Sequence, residues 1–253
     1  MGRHALVTGA ARGIGAAIAR ALAEGGATLT LLGRDRDALA RLAAELPGQG
    51  HGIAQADVTD EAQVQSAFDA ARAERGPLAV LVANAGAAES APFGKTSLAL
   101  WQRMLAVNLT GAFLCARAAL PDMLAARHGR IVAVASTAGQ RGYAYVAAYA
   151  AAKHGVIGMV RSLALEVAGQ GVTVNAVCPG YTETDLLRAS IANVVARTGR
   201  SEAEARAHFA AGNPQGRIVR PEEVADAVRW LCGDAAASVT GQSISISGGE
   251  VMT

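Results

Sequence analysis

A chain of 253 residues, half of them apolar and only 4% aromatic, has enough mass to bury one large α/β core or two small ones built on close alanine and glycine contacts. A net charge of +2 with no run of like charges gives no electrostatic footprint for nucleic acid or a membrane surface, and no uninterrupted apolar run of about 18 residues marks a membrane span. Cys115, Cys178 and Cys232 are widely spaced, with no C-x-x-C and no histidine cluster, so they read as buried apolar side chains in a reducing compartment, with neither disulfide nor metal. The first strand begins within a few residues of the start, leaving no room for a signal peptide, and a cytoplasmic protein is expected.

Along the chain, short apolar runs alternate with longer amphipathic stretches. A strand over 5–7 leads to a helix over 13–24. A strand over 27–32 is followed by a helix over 35–46, and a strand ending near 56 by a helix over 60–75. A strand over 78–83 precedes one long helix through Trp101, Phe113 and Leu120. Strand 130–135, the helix carrying Tyr149 to about 168, and strand 172–177 come next. A helix over 221–231 and a strand near 243–247 close the chain. This alternation predicts a Rossmann-type, doubly wound parallel sheet in three α/β/α layers, as a single domain over residues 1–253. The exception is 182–217, which holds two helical pieces (185–197 and 201–211) and no strand. Such an insertion is either a substrate lid or a peripheral decoration.

The turn Thr8-Gly9-Ala10-Ala11-Arg12-Gly13-Ile14-Gly15 follows the first strand and opens the first helix. Glycines there let the backbone approach a pyrophosphate seated on the helix N-terminus. Farther on, Tyr149 and Lys153 stand four residues apart, on one helix face. Only two lysines, Lys95 and Lys153, occur among 23 basic residues, so a chain that writes arginine elsewhere keeps lysine at this position. An ammonium beside the phenol is expected to lower its pKa and make it a proton donor and acceptor near neutral pH.

Thr-Gly-x-x-x-Gly-Ile-Gly, Asn84-Ala85-Gly86, Asn108, Ser136 thirteen residues before Tyr149, Tyr149-x-x-x-Lys153 and Pro179-Gly180 together resemble the single-domain branch of the short-chain dehydrogenase/reductase family, with a pattern similar to its 3-oxoacyl reductases. The resemblance implies hydride transfer between a nicotinamide dinucleotide and a carbonyl or secondary alcohol. It implies Tyr149 as the acid, Lys153 holding the ribose hydroxyls, Ser136 stabilising the developing alkoxide and Asn108 positioning a relay water. It places Gly9, Gly13, Ile14 and Gly15 at the pyrophosphate and Asp57 and Val58 at the adenine. Asn84, Ala85 and Gly86 run beside the ribose and nicotinamide, and Pro179, Gly180, Thr182 and Thr184 close over the nicotinamide. Ala83 stands where many members have a second asparagine.

Gly33-Arg34 at the end of the second strand offers a guanidinium where a carboxylate would read the ribose 2′-OH, so NADP, with NADPH preferred over NADH, is expected. Arg12 in the glycine loop offers a second positive charge, after Arg34, to a ribose 2′-phosphate. Asp35 then caps the next helix; a two-residue register shift would instead bring Asp35 or Asp37 to the ribose and favour NAD(H). The substrate is a carbonyl or alcohol small molecule. Either a 3-oxoacyl thioester, its phosphorylated carrier met by Arg141, Arg188 and Arg197, or a small ketone or ring alcohol fits. Gln140, Arg141 and Tyr143 are candidates for the pocket wall, and Tyr181, Leu186 and Leu187 begin the lid. A catalytically silent nucleotide-binding scaffold is the alternative from another class. Assembly as a homotetramer, through long helices and the C-terminal strand region, follows from the resemblance alone.

Overall fold

The computed structural model describes residues 3–252. Seven strands form one parallel sheet in the order β3-β2-β1-β4-β5-β6-β7: β1 His4–Thr8, β2 Thr28–Gly33, β3 Gly52–Gln55, β4 Val80–Ala83, β5 Gly129–Val134, β6 Val172–Pro179 and β7 Ser243–Ile246. The helices are α1 Gly13–Glu24, α2 Arg36–Glu45, α3 Glu61–Arg75, α4 Leu98–Leu105, α5 Gly111–Ala126, α6 Ala147–Val167, α7 Asp185–Thr198, α8 Glu202–Ala210 and α9 Pro221–Cys232. The order winds outward from β1 in one direction and from β4 in the other. Their carboxyl ends therefore diverge at a topological switch point, where such sheets leave a ligand crevice.

The core follows the two-residue period of the strands. Along β1, Leu6 faces α3, α5 and α6, packing with Phe68, Leu81, Met123 and Val160. Its neighbours Ala5 and Val7 face α1, α2 and α9, packing with Ile18, Leu22, Leu39 and Leu231. Covered on both faces, β1 is buried along its whole length, as a central parallel strand requires. Local chemistry sets the helix starts. Asp35, Asp60, Ser97, Thr184 and Ser201 each accept a backbone N–H in the first turn of α2, α3, α4, α7 and α8.

The expected single helix through Trp101, Phe113 and Leu120 is interrupted. A π-helical turn, Ala106–Thr110, separates α4 from α5. An 18-residue window of the helical stretch Leu98–Ala126 has a mean hydropathy of 1.4, a level that the core helix of a folded domain also reaches, and Arg103, Arg117 and Asp122 interrupt the stretch, so no uninterrupted apolar run is present there. Half of that window is buried inside the fold, and Met104, Cys115, Ala119 and Met123 of the stretch are core residues. All three cysteines are buried and unpaired, and burial pushes their thiols up to about 12, 11 and 12 for Cys115, Cys178 and Cys232. The insertion folds as α7 and α8 on a small core of their own, Leu187, Ile191, Ala205 and Ile218.

Candidate active site

The glycine turn leaves β1 with Gly9 at φ +63°, a conformation that L side chains rarely adopt. Gly15, in the first turn of α1, lies so close to the loop that a Cβ would stand 2.2 Å from the Gly9 carbonyl oxygen. Asn84, just past β4, laces this turn to the sheet. Its Nδ2 donates to the Thr8 and Gly9 carbonyls at 2.9 and 3.1 Å, and its backbone N–H and that of Ala85 both donate to Thr8 Oγ1 at 2.9 Å. Its carboxamide is thus committed to the loop, and Thr8, which sequence reasoning passed over, is the buried post. Arg12 is the N-cap of α1 and supplies no side-chain acceptor, so the first-turn N–H groups remain uncapped. Uncapped donors, a positive dipole end and a side-chain-free approach fit a pyrophosphate.

Arg34 follows β2 directly. Its side chain is 80% exposed and lies 3.9 Å from the Asp57 carboxylate. Asp35 accepts the Ala38 N–H at 3.0 Å as N-cap of α2, so its carboxylate is turned into the helix. Asp57 accepts from both the N–H and the hydroxyl of Thr59, at 2.9 and 2.8 Å. Val58 is buried against Gly111, so its side chain belongs to the core and only its backbone is left for an adenine.

At the carboxyl ends of β4 and β5, Asn108, Ser136, Tyr149 and Lys153 come together. Asn108 occupies the π turn and is buried; its Nδ2 donates to the Met104 and Ala87 carbonyls at 3.0 and 2.9 Å, and its Oδ1 accepts the Ala87 N–H at 3.3 Å. A helical residue bonded in this way to the irregular segment beyond β4 accounts for the local widening of the helix. Gly86 lies between the two polar heads, since a Cβ there would be 2.7 Å from Asn108 Oδ1 and 3.7 Å from Lys153 Nζ. Ser136 caps a short 3₁₀ turn, Thr137–Gly139, and accepts the Ala138 N–H at 3.1 Å.

The electrostatics differ from the expectation. Lys153 Nζ is buried, donates to the Val134 carbonyl at 2.8 Å and stands 5.7 Å from the Tyr149 ring centre. Burial holds its pKa down to about 8. Burial likewise raises the Tyr149 phenol above its ordinary value, and the Ser136 hydroxyl offsets this only in part. In this state desolvation, and not the lysine charge, decides the phenol's titration.

The crevice is bounded on the β6 side by the segment that follows that strand. Pro179 ends that strand, Gly180 donates to the Ile246 carbonyl, Thr182 Oγ1 donates to the Gly180 carbonyl at 3.0 Å, and Thr184 caps α7. Thr184 reaches the glycine turn, with its Cγ2 3.2 Å from where a Gly13 Cβ would stand, and Arg12 lies 4.0 Å from Asp185. Ile14 packs with the α1 side of the core. Of the wall candidates, Gln140 turns away, donating to the Ser243 carbonyl and accepting from Ser245 Oγ on β7. Tyr143, Tyr181 and Phe209 form an edge-to-face row with ring centres 6.4 and 4.8 Å apart. Glu250 meets Tyr143 from the chain's tail, and nothing in its local sequence marks it.

Residues 9–250 match a family model described as enoyl-(acyl carrier protein) reductase. The chain belongs to the short-chain dehydrogenase/reductase family. This dehydrogenase/reductase is 45% identical to cis-4-hydroxycyclohexanecarboxylate dehydrogenase of Sinomonas cyclohexanicum over 98% of its own length and 96% of that protein's. It is 38% identical to the 3-oxoacyl-(acyl-carrier-protein) reductase FabG of Escherichia coli K12, with 99% and 98% covered. Among solved structures, a tryptophan variant of actinorhodin polyketide ketoreductase with NADPH superposes with a TM-score of 0.94 at 37% identity, covering 98% of this chain and 97% of that one. Family membership makes the protein an NAD(P)-dependent oxidoreductase working between carbonyls and secondary alcohols.

Proposed function

We propose that this protein is an NADPH-linked ketoreductase acting on a 3-oxoacyl thioester. The observation that carries the cofactor choice is the pair Arg34 and Asp35: the guanidinium stands exposed at the end of β2 while the neighbouring carboxylate is held as a helix cap. That leaves a cation suited to a ribose 2′-phosphate, while the one carboxylate it pairs with, Asp57 at 3.9 Å, also accepts from the Thr59 N–H and hydroxyl. Gly9, Gly13 and Gly15 and the open end of α1 take the pyrophosphate, with Arg12 beside them. Ala85, Gly86, Pro179, Gly180, Thr182 and Thr184 surround the nicotinamide end.

In reduction Tyr149 gives its proton to the carbonyl oxygen, and Ser136 stabilises the oxyanion as it forms. The nicotinamide, when bound, supplies the hydride. Lys153 holds the ribose hydroxyls, and Asn108 fixes the Ala87 backbone beside Gly86. The raised phenol pKa keeps Tyr149 protonated at neutral pH, which suits the reductive direction. Residues 182–217 serve as the substrate lid of a single-domain cytoplasmic enzyme. It assembles as a homotetramer through α6, where Leu165 is 84% exposed, and through the edge strand β7. Of the arginines suited to a phosphorylated carrier, Arg188 is engaged by Asp185 and Glu183, whereas Arg141 forms no ion pair among the described residues.

A second reading, a ring-alcohol dehydrogenase, is favoured by the 45% identity to the hydroxycyclohexanecarboxylate enzyme. Rates of NADPH and NADH consumption with acetoacetyl-CoA, beside 4-oxocyclohexanecarboxylate, separate the two. Fast NADPH-linked turnover of the thioester supports the ketoreductase; turnover of the ring ketone alone supports the second reading. NADPH binding without turnover of either returns the chain to a silent nucleotide binder.

A further inference from the structure

Beyond β7 the chain turns back under the lid. Gly248 and Gly249 adopt φ +63° and +94°, and the Asn213 carboxamide fills the space that a Gly248 side chain would need. This turn delivers Glu250 to the active-site loop. The Tyr143 phenol donates to Glu250 Oε1 at 2.7 Å and lies 2.8 Å from Thr137 Oγ1, the residue after Ser136. A carboxylate only accepts, so Tyr143's single proton goes to Glu250, and the Thr137 hydroxyl turns its own proton toward the phenol oxygen.

Two glycines make room for this carboxylate. Oε2 is 3.0 Å from where a Gly180 Cβ would stand, and Oε1 is 3.2 Å from the same point at Gly212. Glu250 is therefore bracketed by the segment that follows β6, by the end of the lid and by the loop after Ser136. Among the described residues it forms no ion pair, and Oε2 has no hydrogen-bond donor. The Arg141 guanidinium stacks 4.7 Å above the Tyr143 ring, donates to the Glu250 backbone carbonyl at 3.3 Å and is exposed. The arrangement is a half-buried acceptor with one oxygen open, and a cation outside it.

We propose that Glu250 is a specificity-determining residue of the ketoreductase site. Its open Oε2 accepts a hydrogen bond from a neutral substrate that carries a hydroxyl or amide N–H remote from the reacting carbonyl, and its charge turns away a substrate bearing a carboxylate there. The inference rests on the ketoreductase reading. It favours that reading's uncharged acyl chain over the ring acid of the second reading, because a carboxylate placed against another carboxylate costs more than a hydrogen bond gains.

The test compares 4-(hydroxymethyl)cyclohexanone with 4-oxocyclohexanecarboxylate, near-isosteres that differ in charge, as substrates of the full-length enzyme with NADPH. The wild type is expected to favour the hydroxymethyl ketone in kcat/KM by about tenfold or more. Glu250→Gln should lose a few-fold on that ketone and gain about tenfold on the acid, two changes of opposite sign that a purely structural defect cannot produce. Tyr143→Phe frees Oε1 but keeps the charge, so it should retain the discrimination against the acid; this variant keeps the test open if Glu250→Gln fails to fold. An equal selectivity ratio in wild type and Glu250→Gln, or its loss in Tyr143→Phe, overturns the proposal. If neither ketone is reduced, the same ratio is read from dissociation constants by calorimetry on the NADP⁺-loaded protein. A preference that depends on Glu250 then upholds this proposal, while turnover of acetoacetyl-CoA decides the ketoreductase reading separately, and binding of neither ketone overturns the proposal.

Discussion

Lys153 Nζ donates to the carbonyl of Val134, the last residue of β5, at 2.8 Å, which fixes the ammonium two residues from Ser136. That contact holds the lysine in place without neutralising it, and burial brings its pKa to about 8. The Tyr149 phenol moves the other way, so it stays protonated where the lysine loses its charge. The alkaline limb of kcat/KM for reduction should therefore break near pH 8 through Lys153. Lys153→Arg should remove that break, because a guanidinium stays charged across the range. A limb unmoved in Lys153→Arg would assign it to another group.

A buried cation with one carbonyl partner is a cost to the fold that function retains. Lys153→Met is expected to leave Tm unchanged or higher while turnover falls by at least ~10²-fold. Thermal melts and steady-state rates on the same preparation check both halves. A large loss of Tm would mean that the lysine's hydrogen bond outweighs its desolvation.

Arg34→Asp removes the guanidinium and puts a carboxylate in its place. A charge-assisted pair contributes about 1.5–3 kcal/mol, so the NADPH to NADH preference should shift by at least ~10-fold toward NADH. Titration of each dinucleotide against the free protein reads this without any substrate. An unchanged ratio would take Arg34 out of the 2′-phosphate site.

Gly15→Ala would drive a methyl to 2.2 Å from the Gly9 carbonyl. Overpacking of that kind costs roughly 1–3 kcal/mol, and here the atom displaced is backbone of the dinucleotide loop. Both Tm and NADPH affinity should fall together. Loss of stability with affinity intact would show that the loop can give way without losing its shape.

Stability should also depend on pH through two histidines. His4 is buried and hydrogen-bonded to Gly76 and Thr30, and burial lowers its pKa below 6.5. His128 is lowered by burial and by Arg3 and Arg130, which gather with it around the single carboxylate of Asp234. In both cases the folded protein binds protons less readily than the unfolded chain. The stabilisation is complete above about pH 6.5 and is lost as pH falls through the lower folded values. Melting at pH 7.5 against 5.5 should show the drop, and His128→Asn should reduce it. Asp234→Ala should lower Tm at every pH, since it leaves the buried Arg130 facing like charges.

Alternating apolar runs, cap residues and the glycine turn are local signals, each readable within one helical turn or one strand. The sequence by itself therefore determined the element order, the doubly wound sheet, the two-helix insertion and the Ser136–Tyr149–Lys153 constellation. Helix α1 forms over the expected residues, and α3, α6 and α9 start and stop within two of theirs. What tertiary structure alone decided are contacts between distant parts of the chain. Asn84 laces the glycine loop 76 residues back, and Glu250 meets Tyr143 across 107 residues. Asn108 reaches across 21 residues to Ala87 and opens a π turn in a run whose apolar period reads as unbroken helix. Burial, too, is a property of the whole fold: a lysine four residues from a tyrosine predicts a lowered phenol pKa only if water screens neither more nor less than in a free helix. The assembled sheet removes that water, and desolvation then outweighs the neighbouring charge.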